Sequence, residues 1–281
     1  MYFVCATGLN WSDVKLHSSH AALDIAGRQS KAEKILRLIR LPDNRKADVR
    51  LLEVGTGSGA IAKYFSELAT PHFDVWAVDV KDQRIITEGY NFQLYEGQRL
   101  PFDEGTFDIV ISNHVIEHVG DRAQQASHVS ELCRVLRPGG CIYLATPSRW
   151  QIIEPHFLLP FLSWIPKRWR DSYVRITGRG EIYDCDLLRP VELQRLLQAC
   201  GLPHTDLTVQ ALRELVALEH TQGILVRIAA SLPARWLKRL RNLSPTLIYL
   251  IHKSPALEVT EQSDDRAINL PVSGVDHGEL D

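Results

Sequence analysis

The chain has 281 residues, 45% hydrophobic and 23% charged, the proportions of one substantial globular α/β domain with additions. Its formal net charge of −2 gives no global attraction to phosphate backbones, so no nucleic-acid partner is expected. Cys5, Cys133, Cys141, Cys185 and Cys200 are odd in number, scattered and never in a C-x-x-C pair, which argues against a disulfide framework and a thiolate zinc site and for a reducing, cytoplasmic compartment.

The opening stretch MYFVCATGLNW has no basic residue before Lys15, so a secretory signal is not expected. No segment reaches the roughly 18–20 apolar residues that span a bilayer, which leaves a soluble or membrane-surface protein. Residues 1–48 read as an N-terminal cap and helix. His17 and His20 share one helical face without a third ligand nearby, and read as ordinary histidines of the cap. From Ser30 to Leu41 the apolar Ile35, Leu36, Leu38 and Ile39 alternate with charges, an amphipathic helix closed by Pro42.

The stretch Leu51–Leu68, LLEVGTGSGAIAKYFSEL, organises the chain. A short apolar strand meets Gly55, Gly57 and Gly59 and passes into a helical pattern on Ile61, Phe65 and Leu68. A glycine turn entering a helix lets a ligand approach the backbone beside unpaired N–H groups, the arrangement of a nucleotide site. Taken alone, it also satisfies the dinucleotide fingerprint of dehydrogenases, with Ala60 in its last place. A second apolar run, Phe73–Val78, ends in Asp79, placed to accept from both ribose hydroxyls of a bound nucleotide. After Leu100, Pro101 and Phe102 comes a buried strand, Phe107–Ser112, then Asn113.

The combination E-x-G-x-G-x-G from Glu53, the acid Asp79, L-P-F before F-D-I-V-I-S, then N-H-V-I-E-H-V and V-L-R-P-G-G-C-I-Y-L-A-T-P resembles the class I S-adenosylmethionine-dependent methyltransferases, most closely the broad small-molecule and lipid group. The likeness is strong from Leu51 to Pro147. It implies a Rossmann-like doubly wound α/β sheet of about seven strands, mostly parallel with an antiparallel last strand, plus a lid insertion. It also implies S-adenosylmethionine as cofactor. Gly55, Gly57 and Gly59 would form the backbone cradle, and Glu53 and Asn113 would hold the methionine end. Asp79 would take the ribose, Glu96 the adenine amino group, and the Gly97 backbone the ring nitrogens. Certain ubiquinone-pathway relatives hold a divalent cation with E-x-x-E-H where this chain has His114, Glu117 and His118. Because E-H-V also occurs in metal-independent relatives, the segment reads here as pocket lining with no metal.

Arg122–Leu136 reads as an amphipathic helix, and Arg137–Gly140 as the turn into a fifth strand, Cys141–Ala145. Residues 148–188 read as the lid. WQIIEPHFLLPFLSWIPKRWR from Trp150 to Arg170 is aromatic, proline-rich and then basic, and insertions at this edge of an open sheet cover the reacting centre. His156 is the first candidate general base, with His114 and Tyr183 behind it. A helix over Arg189–Cys200, a sixth strand over Thr205–Gln210 and a last strand over Thr246–His252 follow. Residues 213–243 form a basic amphipathic segment interrupted by Pro233, a candidate for peripheral membrane contact. Residues 254–281, rich in acids, read as a disordered tail.

Methyl transfer to a small or amphiphilic acceptor, on oxygen, is the function these features point to. An NAD(P)-dependent oxidoreductase and a non-catalytic binding scaffold of the same fold are the alternatives.

Overall fold

The computed structural model describes residues 25–39, 48–154, 156–218 and 244–254, together with 233, 235–237 and 241. His17, His20, most of the basic segment 213–243 and the tail beyond 254 lie outside these residues.

Seven strands form one sheet: β1 (Val49–Val54), β2 (Phe73–Asp79), β3 (Asn91–Leu94), β4 (Phe107–Asn113), β5 (Leu136–Pro147), β8 (His204–Asp206) and β9 (Thr246–His252). The spatial order is β3-β2-β1-β4-β5-β9-β8. β1 pairs in parallel with both β2 and β4, β5 in parallel with β4, and β9 runs antiparallel to β5 and β8. This is the mostly parallel α/β sheet with an antiparallel last strand that the sequence resemblance implies.

The central strands are apolar on both faces because helices cover both. Residues that alternate along a strand supply opposite faces. Leu51, Ile109 and Ile111 pack with α1 (Ile25–Ile39), α2 (Ala60–Ser66) and α6 (Thr208–Leu218), whereas Leu52, Val110 and Leu144 pack with α3 (Arg122–Val135) and α5 (Pro190–Ala199). In α1 the buried Ala32, Ile35, Leu38 and Ile39 recur at helical spacing and form the stripe that faces the sheet.

Two elements differ from the sequence expectation. The strand expected over Thr205–Gln210 stops at Asp206, whose carboxylate accepts from the Thr208 N–H at 2.9 Å and diverts the chain into α6. The Thr208 hydroxyl then accepts from the Ile248 N–H at 3.1 Å, fastening that start to β9. The turn expected at Arg137–Gly140 is an irregularity inside a longer β5. Leu136 already pairs with Phe107, and the register shifts before Ile109 meets Cys141. Arg137 forms an ion pair there with the buried Asp108, and the Gly139 N–H donates to Lys253 at 2.8 Å.

Residues 148–188 leave the sheet at its carboxyl edge and carry β6 (Ile153–Glu154), β7 (Leu159–Pro160) and α4 (Lys167–Ile176). They keep a core of their own: Phe157, Leu159, Leu162, Val174, Tyr183, Cys185 and Leu187. Arg170, buried, ties this core by donating to the carbonyls of Ile165 (2.8 Å) and Ser163 (3.2 Å).

Candidate active site

In an open parallel sheet a ligand crevice forms beyond the carboxyl ends of the strands, where neighbouring connections leave in opposite directions. Here that point is β1, flanked by β2 and β4. Directly after it Gly55, Gly57 and Gly59 take φ of +75°, +55° and +81°, the left-handed region.

The turn is held from below and from the side. Glu53 is buried, and its carboxylate accepts from the Thr56 hydroxyl at 2.7 Å and from the Ala62 N–H in the first turn of α2 at 3.0 Å. Burial pushes this carboxyl up to about 8, against the hydrogen bond from Thr56, the charge of Arg28 and the Ala62 N–H. Asp79, at the end of β2, accepts from the Gly57 N–H at 2.9 Å and from the Lys81 N–H at 3.3 Å. The Ser58 carbonyl accepts from Ile85 and Ile86, so the connection 80–90 is laid over the turn.

Arg28 of α1 was not among the sequence-expected residues. Its guanidinium lies beside Gly57, 3.6 Å from where a Cβ would stand. Nothing in the periodicity around Arg28 marks it; only the packing of α1 brings it to the turn. Glu96 follows β3 and is exposed, next to Gly97. Asn113 closes β4, half-buried, on the same edge.

Immediately beyond Asn113, His114 has φ +61°, and its N–H donates to Ala145 of β5 at 2.8 Å. Its Nδ1 stands 3.5 Å from a carboxylate oxygen of Glu117, which is fully buried and whose other oxygen accepts from the Thr146 hydroxyl at 3.1 Å. Burial lowers the His114 imidazole below its ordinary range. For Glu117 burial acts upward, but the neighbouring His114 and His118 outweigh it and hold the carboxyl below its usual range.

The expected H-x-x-E-H run therefore does not act as one unit. His114 and Glu117 face each other, while His118, at the end of the 3-10 turn Ile116–His118, meets the lid. There His156 approaches it edge-to-face, ring centroids 5.1 Å apart, and Cys185 Sγ lies 3.7 Å from His118 Nδ1 and 3.9 Å from His156 Nδ1. His156 is anchored on the fully buried Glu154 at 2.6 Å, and the same carboxylate accepts from the Phe157 N–H at 2.8 Å. Burial lowers the His156 imidazole, but Glu154, with Glu117 and Asp184, more than offsets this and leaves it above the ordinary value. Tyr183 is buried nearby, its hydroxyl without a partner among the described residues.

The edge thus carries a turn flanked by the carboxylates of Glu53 and Asp79 and the guanidinium of Arg28, and beside it two imidazoles each set on a buried carboxylate. A separate open depression lined by Asp48, Arg50, His72 and Asp74 lies at the amino ends of β1 and β2, the far side of the sheet from this constellation.

Residues 52–144 match the family model described as a methyltransferase domain. That stretch, from β1 through the first part of β5, is thus similar to a methyltransferase domain. It is 30% identical over 125 residues to a demethylmenaquinone methyltransferase of Chlorobaculum tepidum, covering 42% of this chain and 50% of that protein. It is 27% identical over 169 residues to a ubiquinone biosynthesis O-methyltransferase of Sinorhizobium fredii, covering 57% and 62%. The chain thus spans about half to three-fifths of the length of these curated relatives. Among solved structures, a chain of the complex between the Haloferax volcanii Trm112 methyltransferase activator and a methyltransferase shares the fold, with a TM-score of 0.50 at 16% identity over 83% of this chain and 95% of that one.

The residues around the turn fit S-adenosylmethionine, the cofactor the sequence resemblance implies. A carboxyl as buried as Glu53, raised to about 8, gains from a nearby cation, and the methionine portion brings an ammonium. Arg28, of opposite charge on the same turn, suits the carboxylate of the same amino acid.

Proposed function

We propose that this protein transfers the methyl group of S-adenosylmethionine to an oxygen of a small amphiphilic acceptor of the quinone-precursor or lipid type. The observation that carries the reading is the pair of opposite charges at the glycine turn, buried Glu53 and Arg28 next to Gly57, at the edge that also presents His114 and His156. The cofactor supplies a methyl already activated on a cationic sulfur, so the protein's work is to hold the acceptor in line and keep water out.

Each residue has a part in that work. Glu53 pairs with the methionine ammonium, Arg28 with its carboxylate, and Asn113 closes that end. Asp79 accepts from the ribose hydroxyls while it shapes the turn through the Gly57 N–H. Glu96 and Gly97 meet the adenine. His156 on Glu154 and His114 on Glu117 are the two proton acceptors facing the acceptor side, and either takes the hydroxyl proton as the oxygen is methylated.

The acceptor class rests on the lid. Trp150, Ile152, Ile153, Phe161, Trp164 and Trp169 are exposed, and α4 carries exposed Lys167, Arg168 and Arg175, the Arg168 guanidinium 5.3 Å from the Trp169 ring centroid. An apolar, aromatic surface rimmed by bases is suited to an anionic membrane interface, where an amphiphilic acceptor resides. Among the described residues no helix is long and apolar enough to cross a membrane, so contact would be peripheral. The named relatives, acting in ubiquinone and menaquinone biosynthesis, support the same class of acceptor.

The test is incubation of the protein with an isotopically labelled methyl donor and a membrane-lipid extract, read by mass spectrometry. A labelled amphiphile carrying one added O-methyl group is the expected product. Labelling confined to water-soluble species, or on carbon alone, overturns the acceptor assignment, and calorimetric binding of NAD without binding of S-adenosylhomocysteine overturns the donor.

A further inference from the structure

We propose that His118, His156 and Cys185 form a binding site for a single zinc-class metal ion that clamps the lid to the carboxyl edge of the sheet. Each residue offers one donor atom, and the three donors lie within 4.8 Å of one another, the one such convergence of His, Cys, Asp and Glu among the described residues. In a tetrahedral zinc site with Zn–N of about 2.0–2.1 Å and Zn–S of about 2.3 Å, neighbouring donors stand roughly 3.3–3.6 Å apart. The Cys185 Sγ-to-His118 Nδ1 separation of 3.7 Å is about a tenth of an ångström from that range; His156 is bonded to Glu154 through Nδ1, so the nitrogen it offers to the ion is Nε2.

The surroundings are those of a cation. Glu154 is fully buried and bonded to His156 at 2.6 Å, the outer-shell carboxylate that orients a ligating imidazole. Asp184 Oδ1 lies 3.7 Å from Sγ, and Glu117 adjoins His118 in the chain. On binding, the Cys185 thiol proton leaves to solvent; thiolate and dication then leave one positive charge, which Glu154 balances. Two imidazoles and a thiolate select zinc, cobalt or copper over magnesium or calcium, which take oxygen ligands. Three protein ligands leave a fourth position for water or an oxygen atom of a bound molecule, and the exposure of His118 provides the entry path.

This set differs from the H-x-x-E-H run, of which it uses only His118. Its other two ligands come from opposite ends of the lid, beside β6 and just before α5, so one ion joins both lid ends to the turn after β4. In the loaded protein His156 is a ligand, and the proton acceptor of the proposed reaction is His114.

The full-length chain, freed of metal with a chelator and dialysed, is titrated with zinc and separately with cobalt(II). One equivalent of zinc per chain by mass spectrometric metal analysis is expected, and the cobalt form should show a thiolate-to-cobalt charge-transfer band. Cys185→Ser should abolish the band, whereas Cys133→Ser and Cys200→Ser keep it; His118→Asn, on an exposed side chain, should weaken zinc binding by a factor of ten or more. No stoichiometric binding, a band that survives Cys185→Ser, or unchanged zinc affinity in His118→Asn overturns the site. If Cys185→Ser does not fold, His118→Asn decides. None of these readouts depends on methyl transfer.

Discussion

Asp79 accepts a hydrogen bond from the Gly57 N–H at 2.9 Å, so the acid that ends β2 also sets the shape of the turn that opens α2. In the proposed site, loss of the carboxylate removes two things: a ribose acceptor and a brace on the turn. Asp79→Asn keeps one oxygen for Gly57 and should lower S-adenosylhomocysteine affinity by about tenfold, near 1.4 kcal/mol, while Asp79→Ala should cost at least a further tenfold. Calorimetric titration separates the two variants; equal affinity in Asp79→Ala and the parent protein removes Asp79 from the site.

Glu53 makes cofactor affinity and stability respond to pH in opposite senses. Its carboxyl is raised from the ordinary 4.5 to about 8, so between these values the folded chain without cofactor holds a proton that the unfolded chain has lost. This contribution is full below about pH 4.5 and declines as pH rises to about 8, by up to about 1.4 kcal/mol per pH unit. Denaturant unfolding across that window should show a shallower decline in Glu53→Gln than in the parent. The cofactor's ammonium favours the ionised carboxylate, so binding should release a proton near neutral pH and tighten towards pH 8. Calorimetry in buffers of different ionisation enthalpy measures that release, and its absence would separate Glu53 from the ammonium.

Gly59 is confined by space as well as by its φ of +81°. A Cβ there would meet the Tyr90 hydroxyl at 2.1 Å and the Ile86 backbone carbonyl at 2.2 Å. Gly59→Ala should destabilise the protein by about 2 kcal/mol or more, whereas Gly139→Ala, also at positive φ but with nothing within 4 Å, should cost only about 1 kcal/mol. Urea denaturation midpoints at equal slope test the contrast.

The exposed lid face predicts vesicle binding that fails before folding does. Trp169 and Ile176 are 59% and 84% exposed. Removing both, as Trp169→Ala with Ile176→Ser, should reduce co-sedimentation with anionic phosphatidylglycerol vesicles several-fold and leave the melting temperature within about 1–2 °C. Undiminished sedimentation would move the contact elsewhere on the protein.

Much of the cofactor side is readable from local chain order. The strand, glycine turn, helix and acid lie within about thirty residues, and the geometry that joins them, Asp79 to Gly57 and Glu53 to Ala62, spans 22 and 9 positions. The acceptor side is not local. Cys185 is 67 residues from His118 and 29 from His156, and no spacing rule joins them; scattered cysteines argued against a thiolate metal site on the premise that ligands come in close pairs. Glu154 was visible two places before His156, but only its complete burial makes it that imidazole's anchor. Asp206 shows the same limit on a smaller scale: a strand is expected over Thr205–Gln210, and one carboxylate turns the chain into a helix.

The private core of residues 148–188 has a consequence for how this protein changes over evolutionary time. Phe157, Leu162, Val174 and Tyr183 pack mainly on one another, apart from the two clusters that sandwich the sheet. Under the proposed function, substitutions among them remodel the wall over the acceptor while Glu53, Asp79 and the glycine turn stay undisturbed. A lineage can therefore exchange one acceptor for another by drift in a forty-residue insertion, keeping the donor machinery as an inherited constant.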